Sequence, residues 1–183
     1  MLYFTSDLHF CHDRAFVYEP RGFSSVHEMN EAIVRNWNEL ITWEDEVYVL
    51  GDLMLNDIDE GLKLWNRLVG TKHIILGNHD VGSRPELYSK CHDTIVEGYS
   101  MPLKYNHRHL FLSHYPTYTG IYNEGDSFRN CVINLCGHSH TNDRFQDMDK
   151  GLIYHVELDA HDNRPVSVDQ IVSDIKRKLR LEV

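Results

Sequence analysis

Side chains that can bind metal ions recur along this chain in five short motifs. They are Asp7-Leu8-His9, Gly51-Asp52, Gly77-Asn78-His79-Asp80, His114 and Gly137-His138-Ser139-His140. Carboxylate and amide oxygens combined with imidazole, and without thiolate, suit Mn²⁺, iron, Zn²⁺ or Co²⁺ better than a structural zinc site, which would prefer cysteine. The residue types therefore predict a catalytic metal centre.

Each motif comes directly after a short apolar run that predicts a β-strand. The five runs are residues 2–6, 46–50, 73–76, 110–113 and 132–136. In open α/β sheets, ligands bind in the crevice outside the carboxyl ends of the strands, so we expect the motifs to meet there. The glycines before Asp52, Asn78 and His138 fit sharp turns, because glycine permits φ > 0 and lets the backbone approach a ligand closely.

Two amphipathic patterns between the first three strands predict helices, at about 26–41 and 57–69. Ser25 and Asp57 stand at their N-caps, each with a glutamate three residues further on, which is the capping-box spacing. The resulting β-α-β-α-β order predicts parallel pairing of the strands, with helices packed on the sheet.

The second half of the chain is richer in strands than in helices. A further strand is predicted at 153–158, and a last helix, with Ser167 as its N-cap, runs to about Lys178.

The segment 115–131 is rich in Gly, Tyr and Asn, which favours a functional loop or lid. Tyrosines in this segment could stack on a base or ring of a ligand: Tyr115, Tyr118 and Tyr122.

Length, charge and cysteine usage restrict the class of protein. The 183 residues suit one domain, covering residues 1–183. The formal net charge of −10 disfavours a long nucleic-acid groove, although two divalent cations would reverse the sign locally. Four cysteines without a CxxC pair predict reduced thiols. With no signal-peptide pattern and no membrane-spanning stretch, we expect a cytoplasmic protein that does not contact a membrane.

The five motifs resemble those of the calcineurin-like metallophosphoesterase superfamily and occur in the same order, over residues 7–140. The resemblance implies an α/β fold of the four-layer α/β/β/α sandwich type. That fold agrees with the strand-rich sequence after residue 100. The resemblance also implies hydrolysis of a phosphate ester by a dinuclear metal centre.

Carried over residue by residue, the resemblance implies two divalent metal ions, with Mn²⁺ favoured over iron, Zn²⁺, Co²⁺ or Ni²⁺. The first ion would be bound by Asp7, His9, Asp52 and His140. The second would be bound by Asp52, Asn78, His114 and His138, with Asp52 bridging the two. A metal-bound water loses its proton near neutral pH, which gives a hydroxide nucleophile.

His79 and Asp80 are the expected catalytic residues outside the metal ligands. The resemblance implies that His79 approaches the phosphoryl oxygens or the leaving group and that Asp80 orients it. A His–Asp pair favours the charged imidazolium, which is a suitable donor to a leaving alkoxide.

Four further residues are candidates for substrate binding or for positioning. Arg21 lies on a predicted loop that could reach the cleft and hold a phosphate through bidentate bonds. His12, three residues after His9, could contact the substrate or a metal ligand. Asp159 and His161 follow the predicted strand 153–158 and could approach the site.

With only loops 10–24 and 115–131 to shape the cleft, we expect a small or nucleotide-like phosphodiester or phosphomonoester as substrate. A nuclease or nucleic-acid end-processing enzyme is the alternative, against which the acidity of the chain counts. A catalytically silent binding module with the same fold is a third hypothesis. The full set of ligands and His79 counts against it.

Overall fold

The computed structural model describes residues 1–120, 130–148 and 151–180. Its ten strands are β1 (Leu2–Thr5), β2 (Glu46–Leu50), β3 (Thr71–Ile75), β4 (Thr94–Gly98), β5 (Ser100–Tyr105), β6 (Arg108–Ser113), β7 (Val132–Cys136), β8 (Phe145–Gln146), β9 (Leu152–His155) and β10 (Val166–Ser167). Its five α-helices are α1 (Ala15–Tyr18), α2 (Val26–Leu40), α3 (Ile58–Asn66), α4 (Arg84–Tyr88) and α5 (Val168–Lys178). None of the helices described is long and apolar enough to cross a membrane.

The first sheet has the strand order β10-β1-β2-β3-β4. Strands β1 to β4 are parallel, with Phe4 opposite Tyr48 and Tyr48 opposite His73, and β10 runs antiparallel to β1. The parallel pairing predicted for the first half of the chain is therefore confirmed. As a result, the carboxyl ends of β1, β2 and β3 lie at the same edge of the sheet.

The second sheet has the order β5-β6-β7-β9-β8. Its three inner strands, β6, β7 and β9, are parallel, whereas β5 and β8 pair antiparallel at the two edges. The segments that follow β6 and β7 therefore also leave their sheet at a common edge. A backbone bridge between Ser6 and Glu157 joins the region after β1 to the region after β9.

Alternating side chains of the first sheet belong to two separate hydrophobic cores. Residues such as Val47, Val49 and Ile74 pack with Trp37 of α2 and Trp65 of α3. The alternate residues of the same strands point to the opposite face of the first sheet and pack against the second sheet. The core on that side contains Phe4, Leu50, Leu112, Leu135 and Tyr154. Ile171 and Ile175 of α5 join this second core. The α/β sandwich expected from the resemblance is confirmed.

The N-caps of the three longer helices are as predicted from the sequence. The Ser25 hydroxyl accepts a hydrogen bond from the Glu28 amide, and the Ser167 hydroxyl accepts one from the Gln170 amide. Asp57 accepts one from the Glu60 amide at 3.0 Å. Helix α3 ends at Asn66 rather than at the predicted residue 69. The caps explain why the starts of the helices were better predicted than their ends.

Several elements were not predicted from the sequence. Helices α1 and α4 have four and five residues, which is too short for a helical hydrophobic period to be visible. Strands β4 and β5 lie at the edges of their sheets and alternate between half-buried and exposed side chains. Much of the proposed loop 115–131, including Tyr122, lies outside the described residues.

We expect Leu135→Ala to lower the free energy of unfolding by about 3 kcal/mol, because Leu135 is fully buried between the two sheets and its truncation leaves a cavity. Urea unfolding measures this change. Val132→Ala, at the exposed start of the same strand, is the control and should cost less than about 1 kcal/mol. Equal effects of the two changes would contradict the assignment of the inter-sheet core.

Candidate metal centre

Three side chains that could bind a metal ion meet where β1 ends and where the chain leaves β7. His9 Nε2 lies 3.0 Å from His140 Nε2, and each of these nitrogens lies 3.7 Å from Asp7 Oδ1. Ligand atoms bound to one metal ion at roughly 2.0–2.2 Å are separated by comparable distances. We call Asp7, His9 and His140 the first ligand set.

A second ligand set forms where β3, β6 and β7 end. Asn78 Oδ1 lies 2.8 Å from His114 Nε2 and 3.0 Å from His138 Nδ1, and the two nitrogens are 3.2 Å apart. These residues come from three strands and two sheets, so only the folded chain assembles them. We call Asn78, His114 and His138 the second ligand set.

The carboxylate of Asp52 lies between the two ligand sets. Its Oδ2 is 3.8 Å from His9 Nε2, and its Oδ1 is 3.6 Å from His114 Nε2. Each oxygen therefore faces a different set, which is the geometry that a bridging carboxylate requires. Asp7 also lies close to Asp52 and His114, as well as to the first set.

The seven residues fit a pair of divalent cations. Asp7 Oδ1 is buried and accepts no hydrogen bond from any described residue. Imidazole nitrogens of different residues face each other at 3.0 and 3.2 Å, which neutral rings tolerate only if a proton or a cation lies between their lone pairs. The donor set contains oxygen and nitrogen without thiolate, which suits Mn²⁺, iron or Zn²⁺.

Two of the histidines are held in the tautomer that leaves Nε2 free to bind a metal ion. His114 Nδ1 donates to the carbonyl oxygen of Leu50 at 2.8 Å. His140 Nδ1 donates to Asp159 Oδ2 at 3.2 Å. Since a carbonyl or carboxylate oxygen only accepts, the proton of each ring lies on Nδ1.

For Asp7, His9 and His138, the surroundings favour the protonation states that metal ligation needs. His140 differs, because burial favours its neutral form but the hydrogen bond to Asp159 outweighs this effect and raises its pKa. Burial lowers the pKa of His9 and of His138, and so favours their neutral forms. Burial opposes the ionisation of Asp7, but its interaction with His9 outweighs this effect and the pKa of Asp7 lies well below its usual range. Ionised carboxylates beside neutral imidazoles are the forms that bind metal ions.

Arg21 does not bind substrate as predicted, because its guanidinium is buried and fully engaged. Its side chain is only 1% exposed and forms two bonds to Asp159, at 3.0 and 2.7 Å. Arg21 Nη2 also donates to the carbonyl oxygen of Asp7 at 2.8 Å. Burial opposes the ionisation of Asp159, yet His140 and Arg21 hold its pKa at about 2. Arg21 and Asp159 therefore position the first ligand set.

Asp80 does not orient the His79 ring as predicted. Its fully buried carboxylate accepts hydrogen bonds from the backbone amides of Asp52, Leu53 and Gly77, and from the Tyr88 hydroxyl. Asp80 thus ties the end of β2 to the end of β3. Tyr88 was not identified from the sequence, because the short helix that carries it gives no sequence signal.

His79 lies beside the ligands with its ring accessible from outside. The side chain is 42% exposed, and Nε2 lies 3.8 Å from Asp52 Oδ2. The backbone amide of His79 donates to Asp52 Oδ1 at 3.0 Å, and the carbonyl oxygen of His79 accepts from Arg84. The backbone is thus fixed at His79, while its ring stays partly accessible beside Asp52.

Of the remaining candidates, His12 lies next to the site and His161 does not. The ring of His12 packs edge-on against that of His9, with centroids 5.3 Å apart. His161 is buried and donates from Nε2 to the carbonyl oxygen of His155. The role of His12 in substrate binding stays a prediction.

Five ligand residues have backbone conformations that are unusual for residues other than glycine. They have positive φ angles: 56° at Asp7, 48° at His9, 56° at Asp52, 75° at His138 and 48° at His140. Such conformations cost free energy and concentrate at functional sites. At Gly137, by contrast, glycine is required for space, because a Cβ would collide with the side chains of Ser6 and Asp7.

Comparisons with known proteins identify relatives over nearly the whole chain, although no protein-family model matches it. Uncharacterized protein MJ1445 from Methanocaldococcus jannaschii is 32% identical over 181 residues, covering 96% of this chain and 92% of that protein. The crystal structure of AQ665 from Aquifex aeolicus, a protein of unknown function, aligns with a TM-score of 0.72 and 26% identity, covering 94% of this chain and 98% of that one. The structure of an archaeal phosphodiesterase aligns with a TM-score of 0.49 and 16% identity, covering 87% and 86%.

We expect Asp80→Asn to lower the free energy of unfolding by roughly 2–4 kcal/mol. The amide nitrogen of asparagine cannot accept the hydrogen bonds of one carboxylate oxygen, so two buried donors lose their partner at about 1–3 kcal/mol each. Urea unfolding measures the loss, with the half-exposed His79→Ala as control. If Asp80→Asn were as stable as the parent protein, the carboxylate would not be holding the two strand ends together.

We expect Asp159→Asn to weaken Mn²⁺ binding about tenfold, because the carboxylate that orients His140 loses its charge. Isothermal titration calorimetry measures the affinity, and circular dichroism checks that the variant is folded. Asp162→Asn is the matched control, since Asp162 is exposed and only three residues away. An unchanged affinity in folded Asp159→Asn would refute the positioning role.

Proposed function

We propose that this chain is a member of the calcineurin-like metallophosphoesterase superfamily, whose five motifs its own motifs resemble, and that it hydrolyses a phosphate ester at a pair of divalent metal ions. The observation that carries this proposal is the position of Asp52, whose two carboxylate oxygens face different ligand sets. A carboxylate shared between two cations supplies negative charge where their mutual repulsion is greatest.

In this proposal each ligand set holds one ion. Asp7, His9 and His140 would bind the first ion with Asp52, and Asn78, His114 and His138 would bind the second with Asp52. When bound, two metal ions would activate a water molecule and stabilise the charge on the phosphoryl oxygens during in-line displacement. Mn²⁺ suits this mixture of carboxylate, amide and imidazole ligands.

The protein residues would neutralise the charge of the metal ions, orient the ligand rings and donate a proton to the leaving group. Asp7 and Asp52 neutralise the cations, and Asn78 contributes an oxygen ligand that adds no charge. Asp159 and Leu50 fix the ring orientations of His140 and His114. His79, whose ring is accessible beside Asp52, would donate a proton to the oxygen of the leaving group.

Among the described residues, the candidate site is accessible from outside, so a phosphate group on a small substrate can reach it. The rings of His79, His138 and His140 are all partly accessible. A phosphate group on a small molecule reaches such a site without a dedicated binding domain. We therefore propose a small or nucleotide-like phosphate ester.

Hydrolysis of bis-p-nitrophenyl phosphate and of p-nitrophenyl phosphate, with and without added Mn²⁺, tests this function. We expect activity on at least one of them that EDTA abolishes and Mn²⁺ restores. Metal content should be measured on the same samples. Two bound metal ions without activity on either compound would instead favour a silent binding module.

We expect His79→Ala to retain both metal ions and to lower kcat. The loss should reach roughly 100-fold for an ester with an alkyl leaving group, which needs a proton donor. It should be smaller for p-nitrophenyl phosphate esters, because p-nitrophenolate leaves without protonation. Steady-state kinetics on both kinds of ester, with metal analysis, measures the difference.

Asp52→Asn is the comparison for His79→Ala and should lose metal and activity together, because the bridging charge is removed. If His79→Ala lost metal instead, His79 would be a ligand rather than a proton donor. If Asp52→Asn kept two metal ions and full activity, the bridging role would be wrong.

A further inference from the structure

An exposed aromatic ring lies next to the first ligand set. Phe16 on α1 is 73% exposed, so most of its ring makes no contact with the protein. Its ring packs edge-on against that of His12, with centroids 5.7 Å apart, and His12 in turn packs edge-on against His9. A phenylalanine so exposed gains little stability from burial. Its ring is therefore available to a ligand.

A second exposed aromatic ring lies next to the second ligand set. Tyr115 is 51% exposed, and its ring centroid is 4.5 Å from that of His138 and 5.2 Å from that of His114. Tyr115 follows His114 directly, so the end of β6 that positions the ligand also positions the tyrosine. The two ligand sets are thus flanked by one accessible aromatic ring each. We call Phe16, His12 and Tyr115 the aromatic rim.

We propose that the aromatic rim binds a planar ring of the substrate, so that the natural substrate is a phosphate ester of a nucleoside or another aromatic alcohol. This inference rests on the proposed phosphoesterase function and specifies its substrate class. A phosphate bound between the ligand sets carries its organic group outwards, past His12 and Phe16 or past Tyr115. Aromatic faces favour a stacked ring over an alkyl chain.

Charge supports a planar neutral group over a long polyanion. The chain carries a formal net charge of −10, which repels a long polyanion. Recognition of the organic group by the aromatic rim would depend on stacking and apolar contact. Stacking of this kind accepts any base or aryl ring, since all of them present a π-face.

Two diesters with the same leaving group test the proposal. Ethyl p-nitrophenyl phosphate and thymidine 5′-p-nitrophenyl phosphate both release p-nitrophenolate, so only the retained group differs. With Mn²⁺ present, we expect kcat/KM to be roughly tenfold higher for the thymidine ester, in line with the strength of base stacking on an aromatic side chain. The p-nitrophenyl ring common to both esters could itself stack on the rim, so equal kcat/KM values would overturn the proposal when thymidine 5′-phosphate and ribose 5-phosphate also bind with equal Kd.

Substitutions of the rim locate the preference. Phe16→Ala and Tyr115→Ala should lower kcat/KM more for the thymidine ester than for the ethyl ester, mainly through KM. Phe16→Tyr should keep the preference and Phe16→Leu should lose much of it, which separates stacking from general apolar contact. Trp43→Ala is the matched control, because Trp43 is 82% exposed and lies just before β2, away from the strand ends that carry the ligands. A preference unchanged in both alanine variants would overturn the proposal.

A binding measurement keeps this inference separate from the hydrolytic function. Calorimetry of the Mn²⁺-loaded protein should give a roughly tenfold lower Kd for thymidine 5′-phosphate than for ribose 5-phosphate, and Phe16→Ala should reduce this difference. If neither diester were hydrolysed but this difference in Kd remained, the proposed hydrolytic function would be wrong. The binding of a planar ring by the aromatic rim would still be supported. If both diesters were hydrolysed and the two monophosphates bound with equal Kd, the function would stand and the proposed role of the rim would be wrong.

Discussion

The fully buried carboxylate of Asp80 is the interaction on which the geometry of the site depends. It accepts hydrogen bonds from Gly77, at the end of β3, and from Asp52 and Leu53, just after β2. The backbone amide of His79 completes the link by donating to Asp52 Oδ1. These bonds hold two neighbouring strand ends together and fix the Asp52 carboxylate midway between the ligand sets. Asp80 thus acts on the chemistry through the backbone and not through the His79 ring.

A second buried interaction has the same function at β1. The guanidinium of Arg21 binds Asp159 with two bonds and the carbonyl oxygen of Asp7 with a third, and Asp159 in turn accepts from His140. A buried ion pair contributes little to stability, because desolvation offsets much of the attraction. Its value here is geometric, since it fixes both Asp7 and His140, which belong to one candidate ligand set but are 133 residues apart in sequence. Both networks also hold ligand residues at positive φ, in conformations that an unsupported turn would not keep.

The sequence predicted well which side chains the fold brings together, because each candidate ligand follows a strand with a clear apolar pattern. Strands β2 and β7 match their predicted bounds, and the N-caps at Ser25 and Ser167 are as expected. Roles that depend on distant partners were not predictable in this way. Arg21 looked like a phosphate ligand because nothing local shows that Asp159, 138 residues later, engages its guanidinium. The resemblance likewise implied that Asp80 orients His79, but the carboxylate of Asp80 is buried against the two strand ends, whereas the ring of His79 is partly exposed.

The ligand sets and the aromatic rim differ in what holds them. The side chains of the two ligand sets form hydrogen bonds with the strand ends or pack against one another. A substitution in either ligand set therefore disturbs the geometry of both. Phe16 and Tyr115 are mostly or half exposed and make their contacts with the outer faces of His12 and His138. Replacing them therefore costs the fold little, and the organic group that is recognised can change while the metal centre stays the same. This separation gives a physical reason why the chemistry of such a centre can be read from its motifs, whereas the ester it prefers depends on exposed residues outside those motifs.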